Sequence, residues 1–147
     1  MANIESQGTE FFWSDTTAAS TATTRAVGQV VGFSGPQGSA NVIDITHLGS
    51  TMREKRMGLP DEGSFTMDVL LNMTESSGQQ SIREDRAART LKKAVVKLND
   101  STADASRTRI SFDAYCTGFA VTGAVDDVVK TAITLEISGA ATYSSTI

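Results

Sequence analysis

The sequence predicts a mainly β domain, a β-sandwich or open barrel carrying one flanking α-helix. Three observations point there. Apolar and polar residues alternate over several stretches, most clearly Phe65 to Met73 and Val129 to Ile137, as they do on half-buried strands. Only Ser81 to Leu98 repeats its apolar residues at helical spacing. Turn-forming residues punctuate the chain between these stretches, and strands interrupted by a single helix pack as a sheet with the helix against one side.

Residues 1–24 read as an extended N-terminal arm. The run TTAASTATT cannot bury enough surface to fold alone, but Phe11, Phe12 and Trp13 form an apolar knot suited to docking the arm against a neighbour. Residues 25–147 read as a single β domain, long enough to bury roughly 70% of the surface an unfolded chain of this size exposes. Its first strand runs from Ala26 to Ser34, with Val27, Val31 and Phe33 on one face, and ends at the turn Gly35-Pro36-Gln37-Gly38. A second strand is expected over Val42 to Leu48.

After it comes the stretch GSTMREKRMGLPDEG, which reads as a long polar loop. It carries Arg53, Glu54, Lys55 and Arg56 in a row, then a Gly-Leu-Pro turn, Asp61 and Glu62. Loops beyond ~12 residues without structure of their own are usually functional or disordered, and the chemistry of this one is contact chemistry. In the strand that follows, Phe65, Met67, Val69, Leu71 and Met73 share a face, with Leu70 the exception on the polar side.

For the helix, Ser81 and Glu84 have capping-box spacing, and Ala87, Ala88, Leu91, Ala94, Val95 and Leu98 mark one face. Its basic residues lie opposite, on a solvated face or against an acidic neighbour. From Arg109 a strand alternates through Ile110, Phe112, Ala114 and Cys116 until Gly118 shifts its phase, as a bulge or bend would. The turn Gly123 to Asp127 leads to the last strand, where Val129, Thr131, Ile133, Leu135 and Ile137 face one way.

Charge and composition exclude several function classes. The formal net charge is −4, divided into +4 on residues 81–98 and −8 elsewhere. A general nucleic-acid binder needs a basic surface to displace counterions from phosphate. With one cysteine, Cys116, and one histidine, His47, an internal disulfide is impossible and a metal site is disfavoured. No stretch approaches the ~18 consecutive apolar residues of a membrane span, and the start lacks the pattern of a secretory signal. The expected partners exclude a membrane, and no cofactor is expected.

No catalytic constellation appears either. Gly32 to Gly38 lacks the Lys-Ser/Thr ending of a phosphate loop, and a strand follows it rather than a helix. His47 stands without a triad pattern, Cys116 lies on an apolar strand face, and the pairs Asp61-Glu62 and Asp126-Asp127 read as solvated turn residues.

Taken in order, the residues resemble the tail tube (major tail) proteins of long-tailed phages with non-contractile tails. The resemblance rests on Ile43-Asp-Ile-Thr-His-Leu-Gly-Ser-Thr-Met-Arg-Glu, Gly58-Leu-Pro-Asp-Glu-Gly63, the strand to Asn72, the single helix, and the ending Asp127 to Gly139. It spans about residues 25–142.

It implies a non-enzymatic virion protein whose hexameric rings stack into a hollow tube that passes DNA without binding it specifically. The implied partners are further copies of itself and the tape-measure, tail-tip and terminator proteins, in the virion tail and, before assembly, the host cytoplasm. Within that frame Arg53, Glu54, Arg56, Asp61 and Glu62 are the expected inter-ring or inter-subunit residues. Asp44, Asp68 and Glu136, each on the polar side of its strand, are the candidates for an acidic lumen that repels phosphate. Two other readings stay open: a β-sandwich binding module, for carbohydrate for example, and the tube protein of a contractile tail, a gene transfer agent or a type VI secretion-like apparatus.

Overall fold

The computed structural model describes residues 4–14, 24–72, 78–103 and 106–144, and among these residues it has nine strands and one helix. In chain order the strands are β1 Glu5–Ser14, β2 Thr24–Val27, β3 Val30–Ser34, β4 Ser39–Asp44, β5 Lys55–Asp61, β6 Ser64–Leu70, β7 Lys92–Asn99, β8 Arg109–Thr122 and β9 Lys130–Ser144. The helix α1, Gly78–Ala88, lies between β6 and β7.

Seven strands form one antiparallel sheet in the order β2-β1-β7-β8-β9-β6-β3, and β4 pairs only with β5 in a separate hairpin. The end strands β2 and β3 are joined by only Gly28 and Gln29, so the sheet must curl until its two ends meet. Gln29 takes a left-handed φ of 61° at that corner, and its carbonyl accepts the Leu70 N–H at 3.0 Å.

Alternation decides what lies inside the curl. Phe65 of β6 stacks on Phe11 of β1 and Phe33 of β3, at centroid separations of 5.4 and 5.9 Å, and meets Phe112 of β8 at 5.4 Å. One ring thus ties four strands together, a contact type worth about 0.5–1.5 kcal/mol per pair beyond its burial. Gln79 of α1 closes the corner from within. Its Nε2 donates to the carbonyls of Gly28 at 3.1 Å and Leu70 at 2.9 Å, while its Oε1 accepts the Asn72 N–H at 3.0 Å. Gly78 is pressed so close to β2 that a Cβ there would lie 2.5 Å from the Ala26 carbonyl oxygen, which accounts for glycine at this helix end.

The mainly β architecture with a single helix matches expectation, but several boundaries do not. Residues 5–14, assigned above to an extended arm, are a full strand between β2 and β7, so the sheet begins well before residue 25. Most of the Thr/Ala/Ser run, residues 15–23, lies outside the described residues. The first expected strand divides into β2 and β3 at Gly28-Gln29. The expected 42–48 strand is β4, ending at Asp44, and the third is β6, ending at Leu70.

The helix is the largest correction. It begins three residues before Ser81, which is buried inside it rather than capping it, and it stops at Ala88. Arg89 adopts φ 56°, its N–H reaches the Arg86 carbonyl at 3.4 Å, and the Thr90 N–H bonds back to Asp85 at 3.1 Å, the paired bonds of a Schellman stop.

Beyond it, β7 is buried on both faces. Ala94 and Val96 enter the core, while Val95 and Lys97 are covered on the other side. A strand covered on both faces carries a continuous apolar run, which periodicity alone does not separate from helix. Six basic residues therefore do not share one helix face. Lys97 is buried, with Nζ 2.6 Å from a Glu10 carboxylate oxygen and 5.3 Å from the Phe12 ring centre. Since a non-glycine residue in left-handed backbone is strained, Arg89→Gly should raise stability by roughly 1 kcal/mol, read from urea unfolding of the unassembled subunit.

The phase shift at Gly118 is present as a register irregularity between Cys116 and Gly118, with a second between Ser111 and Asp113.

Candidate assembly surfaces

The stretch expected as a long loop is half of a hairpin. Ser39 faces Asp61, Val42 faces Met57 and Asp44 faces Lys55, with a bulge between Ala40 and Val42. Only residues 45–54 form the tip, and they are stitched together. Ile45 N–H bonds the Glu54 carbonyl at 3.0 Å, Glu54 N–H bonds Thr46 Oγ1 at 2.9 Å, and Ser50 N–H bonds the His47 carbonyl at 2.9 Å. His47 Nδ1 accepts the Gly49 N–H, and its Nε2 lies 3.8 Å from Glu54 Oε2. Asp44, the last residue of β4, is tied to this tip: Thr46, by side-chain and then backbone hydrogen bonding, holds its carboxyl below the usual range.

This hairpin makes no more than marginal contact with the rest of the chain. Its surface is apolar as much as charged, with Val42, Ile43, Leu48, Met52, Met57 and Leu59 exposed. Arg53, Glu54, Arg56 and Asp61 are exposed beside them, and Glu62 is half-buried at the base. Asp61 Oδ1 is engaged by the Gly63 N–H at 2.9 Å. In the sequence the charges dominate this stretch and mask the apolar residues between them. Their number in a supposedly polar loop was the available signal, because an isolated two-stranded hairpin is at best marginal in water.

A second surface lies on the outer side of β3, β6, β9 and β8. There Ser64 stands beside Glu136, Thr66 beside Thr134 and Asp68 beside Ala132. Gly32 and Ser34 of β3 extend this face next to Asp68 and Thr66, and on β8 Tyr115 and Ala120 extend it next to Glu136 and Ala132. The face is small-residued and polar, with Asp68 and Glu136 both exposed on it. Their strands are adjacent, so these two candidates share the face, with Asp68 level with Ala132 and Glu136 level with Ser64, while Asp44 sits apart on the hairpin.

Among the described residues, both flanks of this four-stranded unit lack a strand partner, although α1 packs against β8. Within the described residues β3 pairs with β6 alone, and the β7 partners of β8 end at Ala114, leaving Tyr115 to Thr122 bonded in the described sheet only to β9.

The aromatic knot has a different destination from the one expected. Phe11 and Trp13 are buried in the chain's own core, and Trp13 Nε1 donates to Asp85 Oδ2 of α1 at 2.6 Å. Phe12 points to the other face, beside Lys97. Strand alternation forces this split, so the three residues hold β1 in the sheet instead of presenting one patch to a neighbour. Burial of Trp13 also removes the best candidate for an aromatic carbohydrate platform.

Cys116 is buried, which pushes its thiol up to about 11. No group of three or more His, Cys, Asp or Glu residues suited to a metal ion occurs among the described residues.

A protein-family model described as phage tail tube, TTP, lambda-like, matches residues 2–146. The chain belongs to this family. It is therefore a structural, tube-forming protein of a phage tail. A search of curated proteins gave no match.

Solved structures agree in fold. The SPP1 tail tube is similar with a TM-score of 0.73 at 13% identity, over 96% of this chain and 78% of that one. The tail of a gene transfer agent particle, refined with C6 symmetry, gives 0.68 at 10% identity over 92% and 95%. A sheath/tube terminator of an extracellular contractile injection system, PVC, gives 0.71 at 13% identity over 98% of both chains. The tail tube fold thus spans the described β-sheet and its flanking helix.

Proposed function

We propose that this tail tube protein closes into hexameric rings by pairing β3 of one copy with the open edge of β8 in the next, and that the rings stack axially into a hollow conduit for DNA. The observation that carries this reading is one polar sheet face flanked by two unpaired edges. Exposed edges are a liability that closure removes, and a head-to-tail contact repeated about an axis closes a ring. Continuing the four-stranded unit around that axis turns Thr66, Asp68, Thr134 and Glu136 toward water in the channel. Asp68 and Glu136 then repel phosphate, so DNA passes without being gripped.

The six-fold number is taken from the gene transfer agent tail, whose fold is similar. Asp44 serves the hairpin rather than the lining. The hairpin, with Arg53, Glu54, Arg56, Asp61 and Glu62 at its rim and its apolar residues between them, meets the adjacent ring. Tape-measure, tail-tip and terminator proteins are the further partners, inside the tube and at its ends. Subunits wait in the host cytoplasm before they join the virion.

The lumen assignment is tested with Asp68→Cys and Glu136→Cys. A bulky maleimide should label both rapidly in unassembled subunits and slowly in tubes, and equal rates would put this face outside. The buried, protonated Cys116 contributes little background.

A further inference from the structure

The hairpin and the β8–β9 turn lie at opposite ends of the same four-stranded unit. At one end of β6, Ser64 pairs with Glu136, and the hairpin joins there through residues 35–38 and 62–63. At the other end Leu70 pairs with Lys130, whose neighbour across β8 is Thr122, so the turn 123–129 lies there. β6 separates the two by roughly 20 Å at about 3.3 Å per residue.

The turn has an exposed apolar surface of its own. Val121, Val125, Val128 and Val129 are all exposed, Val125 at 92%. It is also preorganised. Asp126 sits at φ 63°, Asp127 N–H bonds the Ala124 carbonyl at 3.3 Å, Asp127 Oδ1 accepts the Val128 N–H at 2.8 Å, and the Val129 carbonyl accepts the Leu71 N–H at 3.0 Å.

Charge fits across the two ends. Hairpin residues 45–56 carry Arg53, Lys55 and Arg56 against Glu54, whereas the turn carries Asp126 and Asp127, the latter 3.6 Å from Lys130.

We infer that the β8–β9 turn is the receptor for the β4–β5 hairpin of a second copy in the adjacent ring. The inference rests on the stacked-ring reading. Head-to-tail stacking brings the projecting end of one copy against the far end of the next. Leu48 and Met52 at the hairpin tip then cover the valines of the turn, while Arg53 or Arg56 faces Asp126. Apolar cover supplies the affinity and the charges set the register. Both surfaces are exposed among the described residues, and their charges are opposite in sign.

The double variant L48C/V125C tests it in preformed tubes treated with a short bis-maleimide. The expected result is a ladder of covalent multimers that continues past six, since axial links have no natural end, while either single variant stops at dimers. A ladder ending at the ring number would assign the hairpin to a lateral neighbour, and intact tubes without a ladder would remove the contact; either overturns the inference. If the unsubstituted protein forms no tubes under any condition, the stacked-ring reading itself fails.

A charge exchange gives an independent check. Asp126→Lys should raise the protein concentration needed for tubes roughly tenfold, and Arg53→Asp or Arg56→Asp in the same chain should restore it. Trp13 fluorescence verifies that each variant folds. If Asp126→Lys leaves that concentration unchanged, or neither second substitution restores it, the turn is not the receptor.

Discussion

Replacing residues 39–61 by a short glycine-serine linker is expected to leave a folded subunit that no longer forms tubes. Ser39 and Asp61 are paired across the hairpin base, so their Cα atoms lie about 5 Å apart and a short linker closes the gap without strain. No hairpin residue belongs to the hydrophobic core, so the fold loses little. Assembly loses far more. Each large apolar side chain fully buried at a contact contributes roughly 1.5–3 kcal/mol, and Leu48, Met52, Met57 and Leu59 alone offer several kcal/mol per subunit before ordering costs. That is at least about a thousandfold in the concentration needed for tubes. Sedimentation of the excised variant with electron microscopy of the pellet reads the effect, and normal tubes would show that the hairpin has no part in stacking.

Gln79→Leu should act on the other level, the fold itself. The amide is fully buried and makes three hydrogen bonds to backbone groups of Gly28, Leu70 and Asn72. Leucine keeps the bulk but leaves two carbonyls and one N–H without partners, each at a cost of about 1–3 kcal/mol. A loss of roughly 3–9 kcal/mol follows, a large share of the 5–15 kcal/mol typical of a domain. Urea unfolding of the unassembled subunit, followed by Trp13 fluorescence, measures it. A change under about 1 kcal/mol would mean that the corner is held by packing instead.

The contrast between these two predictions reflects what the sequence can and cannot disclose. Alternation is a local signal, so β6 and β8, with one face buried and one exposed, are readable to within a few residues, and β9 as far as Ile137, short of its end at Ser144. The bulge at Gly118 was readable for the same reason. β7 defeats that logic because both its faces are covered, and its apolar run fits helical spacing by accident. β1 was hidden differently, since its aromatic residues looked like cargo on a polar arm when Phe11 and Trp13 are core.

Closure of the sheet depends on contacts far apart in sequence, above all Gln79 with Gly28, and a glutamine in a polar stretch gives no local sign of it. Strand parity puts Asp68 and Glu136 on the polar side of their strands, and both are exposed on that side of the sheet, which the proposed ring turns toward the channel. The hairpin is less legible, since the charged run Arg53 to Arg56 gives residues 49–62 the look of a polar loop and masks both β5 and the apolar side chains around it.

Helical reconstruction of the assembled protein by electron cryomicroscopy tests the central claim most directly. The predicted result is a hollow tube of stacked rings in which the β3-β6-β9-β8 sheet continues from subunit to subunit and Thr66, Asp68, Thr134 and Glu136 face the channel. A solid filament, or a tube carrying that polar face on its outer wall, would contradict it.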